Sequence, residues 1–188
     1  MSDTQWPRYQ VFVQEKPGEP YQDAGSVHAP DAEMALLNAR DVFARRPSVS
    51  GMWVVPAGAI FSRTAQEIEL QPLQTQDDGE ETWYRVCAKE RPAGTQTVLM
   101  RLKAASPAAA LRLALDTYAG PSAPYAWWVF PESEITASRE EDVESLYTPA
   151  EYKTFRLSSD FHTVTVMRSL GKGRRPDRVR LKEGAGGP

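Results

Sequence analysis

The chain opens with the apolar and polar alternation of a β-strand. Apolar positions alternate with polar ones over residues 9–14, with one additional aromatic at Phe12, which predicts a half-buried strand. Pro17 and Gly18 predict a turn, and a second strand is predicted over residues 24–29. Because so short a connection joins antiparallel strands, the chain is predicted to begin with a β-hairpin.

A change to helical spacing follows the hairpin. Asp31 is a suitable N-cap, and the helix that it starts is predicted to reach Arg46, just before Pro47. The apolar face of this helix consists of Ala32, Ala35, Leu36, Ala39, Val42 and Phe43. Met52–Val55 is an unbroken apolar run, which predicts a third strand in the middle of a sheet.

The same pattern returns 75 residues later. Residues 9–60 and 84–135 align without a gap, and 14 of the 52 positions are identical, where chance would give about three or four. In the second copy a helix is predicted over Ser106–Ala119 and a third strand over Trp127–Phe130. We interpret the chain as a tandem duplication of class α+β: two β-β-α-β repeats with antiparallel sheets, related by pseudo-two-fold symmetry, plus a C-terminal arm.

The domain boundaries follow from this duplication. A unit near 75 residues buries only about 60% of the surface that its unfolded chain exposes, so each copy is expected to pack against the other. Aromatic and β-branched runs at Tyr152–Leu157 and Phe161–Val166 predict further strands or an arm. The predicted domains are a first repeat at 1–65, an acidic linker at 66–82, a second, degenerate repeat at 83–139, a tail or arm at 140–167 and a basic flexible C-terminus at 168–188.

Composition and charge narrow the class of protein. The chain is 41% hydrophobic and 25% charged, with a net charge of -3. It has no apolar run near the ~18 residues of a membrane span, and its N-terminus lacks an apolar signal region, so we expect a cytoplasmic protein without a membrane partner. The single cysteine, Cys87, excludes an internal disulfide and a multi-cysteine metal site, and is expected to be a small buried hydrophobe.

Motifs that carry catalytic chemistry are missing from the sequence. It contains no HExxH, CxxC, GxSxG, GxGxxG or P-loop pattern. His28 has Lys103 as its counterpart in the second copy, so a structural or surface role is expected, and the same is expected of His162. We therefore predict no catalytic residue, no metal site and no cofactor. An enzyme in its own right would need the acidic stretches to converge with one of the two histidines.

Two features could bind a partner. The third strands are apolar on both faces, so one face needs its own helix and the other needs the second copy or a foreign subunit. Trp53 and Trp127 are the candidate contact residues of these strands. The segment Arg168–Lys182 carries seven basic residues and one acidic residue, without interleaved aromatics, which fits a disordered tail better than a nucleic-acid site.

Several motifs resemble one known family, the small B subunit of bacterial phenylacetyl-CoA epoxidase (phenylacetic acid degradation protein B). The resemblance is close in the first copy and weaker in the second, where Lys103 replaces the histidine. The residues that carry it are Trp6–Val13, Gly25–Ala29, Asp31–Leu36, Asn38–Val42, Arg45–Arg46, Trp53–Val55 and, for the tail, Tyr147–Lys153.

The resemblance implies a role in phenylacetate catabolism. The family's complex is a multicomponent oxygenase that epoxidises the ring of phenylacetyl-CoA. Its di-iron site lies in the catalytic A subunit, which is accompanied by the structural C subunit, while a reductase supplies electrons from NADPH. The B subunit is non-catalytic and holds the A–C pairs together. By this resemblance the duplicated chain stands for a covalently joined B dimer whose partners are the A and C subunits.

The first helix supplies further candidate contact residues. Arg40, Arg45 and Arg46 lie away from most of its apolar face. Either they are ordinary solvated residues or they pair with carboxylates of a partner. Their counterparts, Leu115, Gly120 and Pro121, could not make those contacts. An alternative function remains open at this point: a duplicated ferredoxin-like regulatory module that binds a small molecule between its two halves.

Overall fold

Each copy contains the predicted hairpin, helix and third strand, followed by a short strand and a second helix. A computed structural model describes residues 6–44, 49–74, 79–120, 122–151, 167, 168 and 170. The elements of the first copy are β1 Arg8–Gln14, β2 Gln22–His28, α1 Ala32–Phe43, β3 Gly51–Pro56, β4 Phe61–Thr64 and α2 Ala65–Leu70. Those of the second copy are β5 Thr82–Lys89, β6 Thr97–Ala104, α3 Pro107–Thr117, β7 Ala126–Pro131, β8 Thr136–Ala137 and α4 Val143–Glu151.

The two main helices begin where their caps predict. The Asp31 carboxylate accepts a hydrogen bond from the Met34 amide at 2.8 Å, and the Ser106 hydroxyl accepts one from the Ala109 amide at 3.1 Å. Both helices end earlier than predicted: α1 at Phe43 and α3 at Thr117. Pro47 and Pro121 set the last position that each helix could reach, and both helices end before that limit. The class, α+β with antiparallel pairing, is confirmed.

The repeats are longer than the predicted β-β-α-β unit. A 3-10 turn follows the third strand in each copy, at Ala57–Ala59 and Glu132–Glu134. Helix α2 occupies the start of the region predicted as a solvated acidic linker, where Thr64 and Glu67 form a capping box. Helix α4 lies in the segment 140–167 that was predicted as a tail or arm. The strand-like runs at 152–157 and 161–166 lie outside the described residues.

The eight strands of the described residues form one sheet, in which each copy pairs its last strand with the other copy. The order is β4-β7-β5-β6-β2-β1-β3-β8, with antiparallel neighbours. Strand β4 of the first copy pairs with β7, which places Ser62 opposite Trp128. Strand β8 of the second copy pairs with β3, which places Ala137 opposite Trp53. These two pairings join equivalent positions, because each residue lies 75 positions from its counterpart.

A second junction joins the copies at the middle of the sheet. Gln22 of β2 pairs with Thr97 of β6, which is its own counterpart in the second copy. On either side, the Asp23 amide donates to the Gln96 carbonyl and the Val98 amide donates to the Tyr21 carbonyl, both at 2.8 Å. The contact is therefore made by equivalent backbone groups of the two copies.

The described residues form three apolar cores. One lies between α1 and the first copy's strands and includes Tyr147 of α4. Another lies between α3 and the second copy's strands, with Ile68 of α2 packed against it. The central core lies between the two copies and is formed by Phe12, Val55, Cys87 and Phe130. Core packing therefore crosses the sequence boundaries that were placed at residues 65 and 139.

A β-bulge interrupts each hairpin at the same position. The register shifts between Val11 and Phe12 in the first copy and between Val86 and Cys87 in the second. The extra residue lies on the second strand of each hairpin, at Ala24 and Leu99. Strands β1 and β5 alternate regularly, so Val11 and Val86 pack under the helices while Phe12 and Cys87 enter the central core. Directly after the first bulge residue, Gly25 has φ +128°, which side-chain-bearing residues rarely adopt, and a Cβ there would lie 3.2 Å from the Phe43 ring.

Residues 154–188 form a separate unit, of which the structure describes Met167, Arg168 and Leu170. These three residues are helical and exposed. Among the described helices of the whole chain, none has the length and apolar character needed to cross a membrane.

Candidate partner-binding surface

The two tryptophans predicted to contact a partner are used inside the fold. Trp127 is 1% exposed, lies in the core under α3 and meets Tyr118 edge to face at 5.3 Å. Trp53 is half-buried and stacks on Tyr21 with the ring centroids 3.7 Å apart. Each third strand is thus covered by its own helix on one face and by the other copy on the opposite face. Trp127 has no appreciable surface left for a partner.

The predicted arginines divide into two groups. Arg40 is tied to its own chain, because its Nε donates to the Leu146 carbonyl of α4 at 3.0 Å and its Nη1 lies 3.3 Å from the Asp41 carboxylate. Its side chain is 32% exposed, so its first role is to hold α4 against α1. Arg45 and Arg46 lie outside the described residues.

His28 and Cys87 lie in different parts of the fold. His28 is exposed, and its carbonyl accepts a hydrogen bond from the Asn38 side chain at 3.3 Å. His162 lies outside the described residues. Cys87 is fully buried in the central core, as predicted, and burial raises the pKa of its thiol well above the ordinary value. The described part of the chain contains no group of three or more His, Cys, Asp or Glu side chains arranged to hold a metal ion.

The structure shows an arginine–carboxylate cluster that the sequence did not predict. Glu132, in the 3-10 turn after β7, accepts from Arg85 at 2.6 Å and from Arg101 at 2.7 Å. Although partial burial opposes ionisation, the hydrogen bonds from Arg101 and Arg85 hold the pKa of Glu132 below its ordinary value. The carboxylate therefore positions both guanidinium groups.

Each of these guanidinium groups also covers a tryptophan ring. Arg85 lies 5.1 Å from the ring centroid of Trp53 in the other copy, and Arg101 lies 3.9 Å from that of Trp83. The first contact joins the copies, and the second lies at the surface, since Trp83 is 43% exposed. At the equivalent positions the first copy carries Arg8, Gln10, Ser26 and Ala57, so it has no such cluster.

A sequence signal for this cluster exists but is weak. Arg85 and Arg101 are opposite each other in the β5–β6 hairpin, where two like charges need a counter-ion. Glu132 lies 47 residues beyond Arg85, so only the folded sheet brings it there.

The space between the two copies is filled at its centre by the central core. The alternative function, a regulatory module, requires a small-molecule cavity between the two halves. The central core occupies that position, so the cavity does not lie there. A cavity of about 480 Å³ lies between α2 and the C-terminal end of α3, where Ile68, Leu115, Tyr118 and Trp127 line it. Its lining is mainly apolar side chain and loop, without a set of convergent charged groups.

Two comparisons with known proteins, one with a family and one with a single relative, agree with each other. The family described as "Phenylacetic acid degradation B" matches the chain twice, at residues 5–91 and 80–168. The chain is also 45% identical over 67 residues to the B subunit of the 1,2-phenylacetyl-CoA epoxidase of Escherichia coli (strain K12). That similarity covers 36% of this chain and 70% of the relative. No solved structure matches the chain.

Proposed function

Because the chain belongs to the phenylacetic acid degradation B family, we propose that it is a non-catalytic bridging subunit of a multicomponent oxygenase that epoxidises phenylacetyl-CoA. Its relative in Escherichia coli is the B subunit of such an enzyme. In this role the chain works in phenylacetate catabolism in the cytoplasm. Its partners are the catalytic (A) and structural (C) subunits of the epoxidase, and the chain supplies no cofactor of its own.

The observation that carries the proposal is the exchange of terminal segments. Each copy gives its last strand to the other copy's sheet, and each gives an apolar residue to the other copy's core, Ile68 in one direction and Tyr147 in the other. Subunits of a dimer intertwine in this way when they form one cooperative unit. We infer that the copies are related by a pseudo-two-fold axis near Gln22 and Thr97, and that one chain is the equivalent of a joined B dimer.

A bridge needs two outward surfaces held in a fixed relation. The central core and the strand exchange fix the two copies against each other. Helices α1 and α3 each pack on the strands of their own copy, on the face opposite the central core. Each copy therefore offers an outer surface of its own. The domain limits proposed for the chain, and an arm formed by residues 140–167, belong to the same proposal.

Co-expression with the A and C subunits encoded by the organism of this chain tests the proposal. Size-exclusion chromatography should show the chain eluting with both subunits, and the A–C pairs should elute at a smaller size when the chain is omitted. If the A–C pairs reach full size and full epoxidase activity without the chain, the bridging role is wrong. An epoxidase activity of the chain by itself would contradict the non-catalytic assignment.

A further inference from the structure

The second copy carries an exposed tryptophan–arginine pair at positions where the first copy has Arg8 and Ser26. Trp83, near the start of β5, is 43% exposed, and the Arg101 guanidinium from the neighbouring strand lies 3.9 Å from its ring centroid. Arg101 is itself 45% exposed and is fixed by its ion pair with Glu132 at 2.7 Å. We call Trp83 with Arg101 the Trp–Arg platform. The ion pair with Glu132 holds Arg101 over the Trp83 ring, so the platform is already formed before a partner binds.

We propose that the Trp–Arg platform is the anchor with which the second copy docks onto a protein partner whose surface has an apolar socket bordered by carboxylates. This inference rests on the proposed function, because the partner is a subunit of the oxygenase. It adds that the two copies bind unequally: the second copy uses the platform, and the first copy must use other contacts.

Residue chemistry supports a protein partner. Tryptophan and arginine are the residue types that contribute most to binding energy at protein interfaces. A half-exposed tryptophan ring buries its free face in a socket at a small entropic cost, since the ring has only two rotatable bonds. Trp83 already has one side covered by Arg101, so its exposed part is the part that a partner can bury.

The cationic side chains near Trp83 indicate that carboxylates border the socket of the partner. Three cationic side chains lie on this part of the sheet: Arg85, Arg101 and Lys103. Two carboxylates form ion pairs with them: Glu132 pairs with both arginines, and Glu81 lies 3.5 Å from Lys103. Arg101 donates to the Glu132 carboxylate through Nε and Nη2. Within the described residues no hydrogen-bond partner is found for its Nη1, so this group can donate to a carboxylate of the partner.

The first copy provides the comparison that makes the inference specific. At the positions of Trp83 and Arg101 it has Arg8 and Ser26, and at the position of Glu132 it has Ala57. The hairpin has the same pairing register in both copies, with the bulge at the equivalent position. A contact that depends on the fold alone would be available twice, whereas a contact that depends on the platform is available once.

Binding of the A–C pair to the full chain tests the platform, with the dissociation constant measured by isothermal titration calorimetry. Trp83→Ala should weaken binding by about tenfold or more, and Arg101→Gln should weaken it several-fold. Trp83→Phe should restore part of the loss. Leu99→Ala is the matched control, because Leu99 lies on the same hairpin with the same 43% exposure but lines a cavity with Tyr118 on the helix side. Ser26→Ala tests the equivalent position of the first copy.

Each outcome decides between two claims. If Trp83→Ala and Arg101→Gln both bind within twofold of the wild type, the platform is not the anchor, while the bridging function stands. An equal loss with Leu99→Ala would show that the substitutions act on stability and would also overturn the platform. Arg101→Gln serves as the second readout if Trp83→Ala lowers the melting temperature. If the wild-type chain itself does not bind the A–C pair, the proposed function fails first.

Discussion

Glu132 links three parts of the molecule through one carboxylate. It accepts hydrogen bonds from Arg85 of β5 and Arg101 of β6. Arg85 in turn lies over the ring of Trp53 in the other copy. Without this carboxylate, two guanidinium groups would face each other across the hairpin. The residue is therefore expected to matter for stability as well as for the Trp–Arg platform.

Glu132→Gln should lower the free energy of unfolding by roughly 0.5–1 kcal/mol, a small loss because the cluster is partly exposed and screened by salt. The folded-state pKa of Glu132 is below its ordinary value, so its contribution is complete above the ordinary glutamate pKa and disappears as the pH falls through the lower folded-state pKa. Urea unfolding at several pH values measures this. Glu134→Gln, an exposed neighbour in the same turn, is the control. An equal difference between wild type and variant at neutral pH and at pH 3 would contradict the assignment.

The burial of Cys87 predicts that its thiol reacts slowly in the folded protein. Its side chain is fully buried between the copies, and burial raises the pKa of the thiol, so the reactive thiolate is scarce at neutral pH. The native protein should react with a thiol reagent such as DTNB orders of magnitude more slowly than the chain in urea. Rapid, complete labelling of the folded protein would show that the two copies separate readily and that the central core is not stable.

At the scale of elements, local signals predicted more than long-range ones. The starts of α1 and α3 were predicted because Asp31 and Ser106 are caps that act within three residues. The third strands were predicted because their apolar runs are unbroken. Strands β4 and β8 were missed, since four residues and two residues are too few to show a period. Their partners are selected by the sheet, so no local pattern identifies them.

Helix α4 shows how the exchange affects stability. It belongs to the second copy by sequence, but Tyr147 is 6% exposed in the first copy's core. Tyr147→Ala should therefore destabilise the protein by about 3 kcal/mol, because a large aromatic side chain is removed from a core. Hydrogen exchange followed by mass spectrometry should show the loss of protection in α1 and β3, more than 75 residues away in the chain.

Leu70→Ala is the control for this experiment, since Leu70 ends α2 with 72% of its side chain exposed, and it should leave protection unchanged. Protection lost in α3 and β7 after Tyr147→Ala, with α1 and β3 unaffected, would mean that α4 packs on its own copy.

At the scale of the whole molecule, duplication has allowed the two halves to diverge while the fold is kept. The strand order, the bulges and the exchanged segments occur in both copies. The surface chemistry does not: Arg40 is held by α4 in the first copy, and the Glu132 cluster exists in the second copy. The candidate site could not be predicted from sequence because its residues come from three elements. The duplication itself could be predicted, because both copies keep their spacing.

The number of chains in the assembled complex tests the central claim most directly. If one chain is the equivalent of a joined B dimer, native mass spectrometry of the complex with the A and C subunits should find one copy of this chain with two A–C pairs. Two copies of the chain in that assembly, or one copy bound to a single A–C pair, would contradict the account.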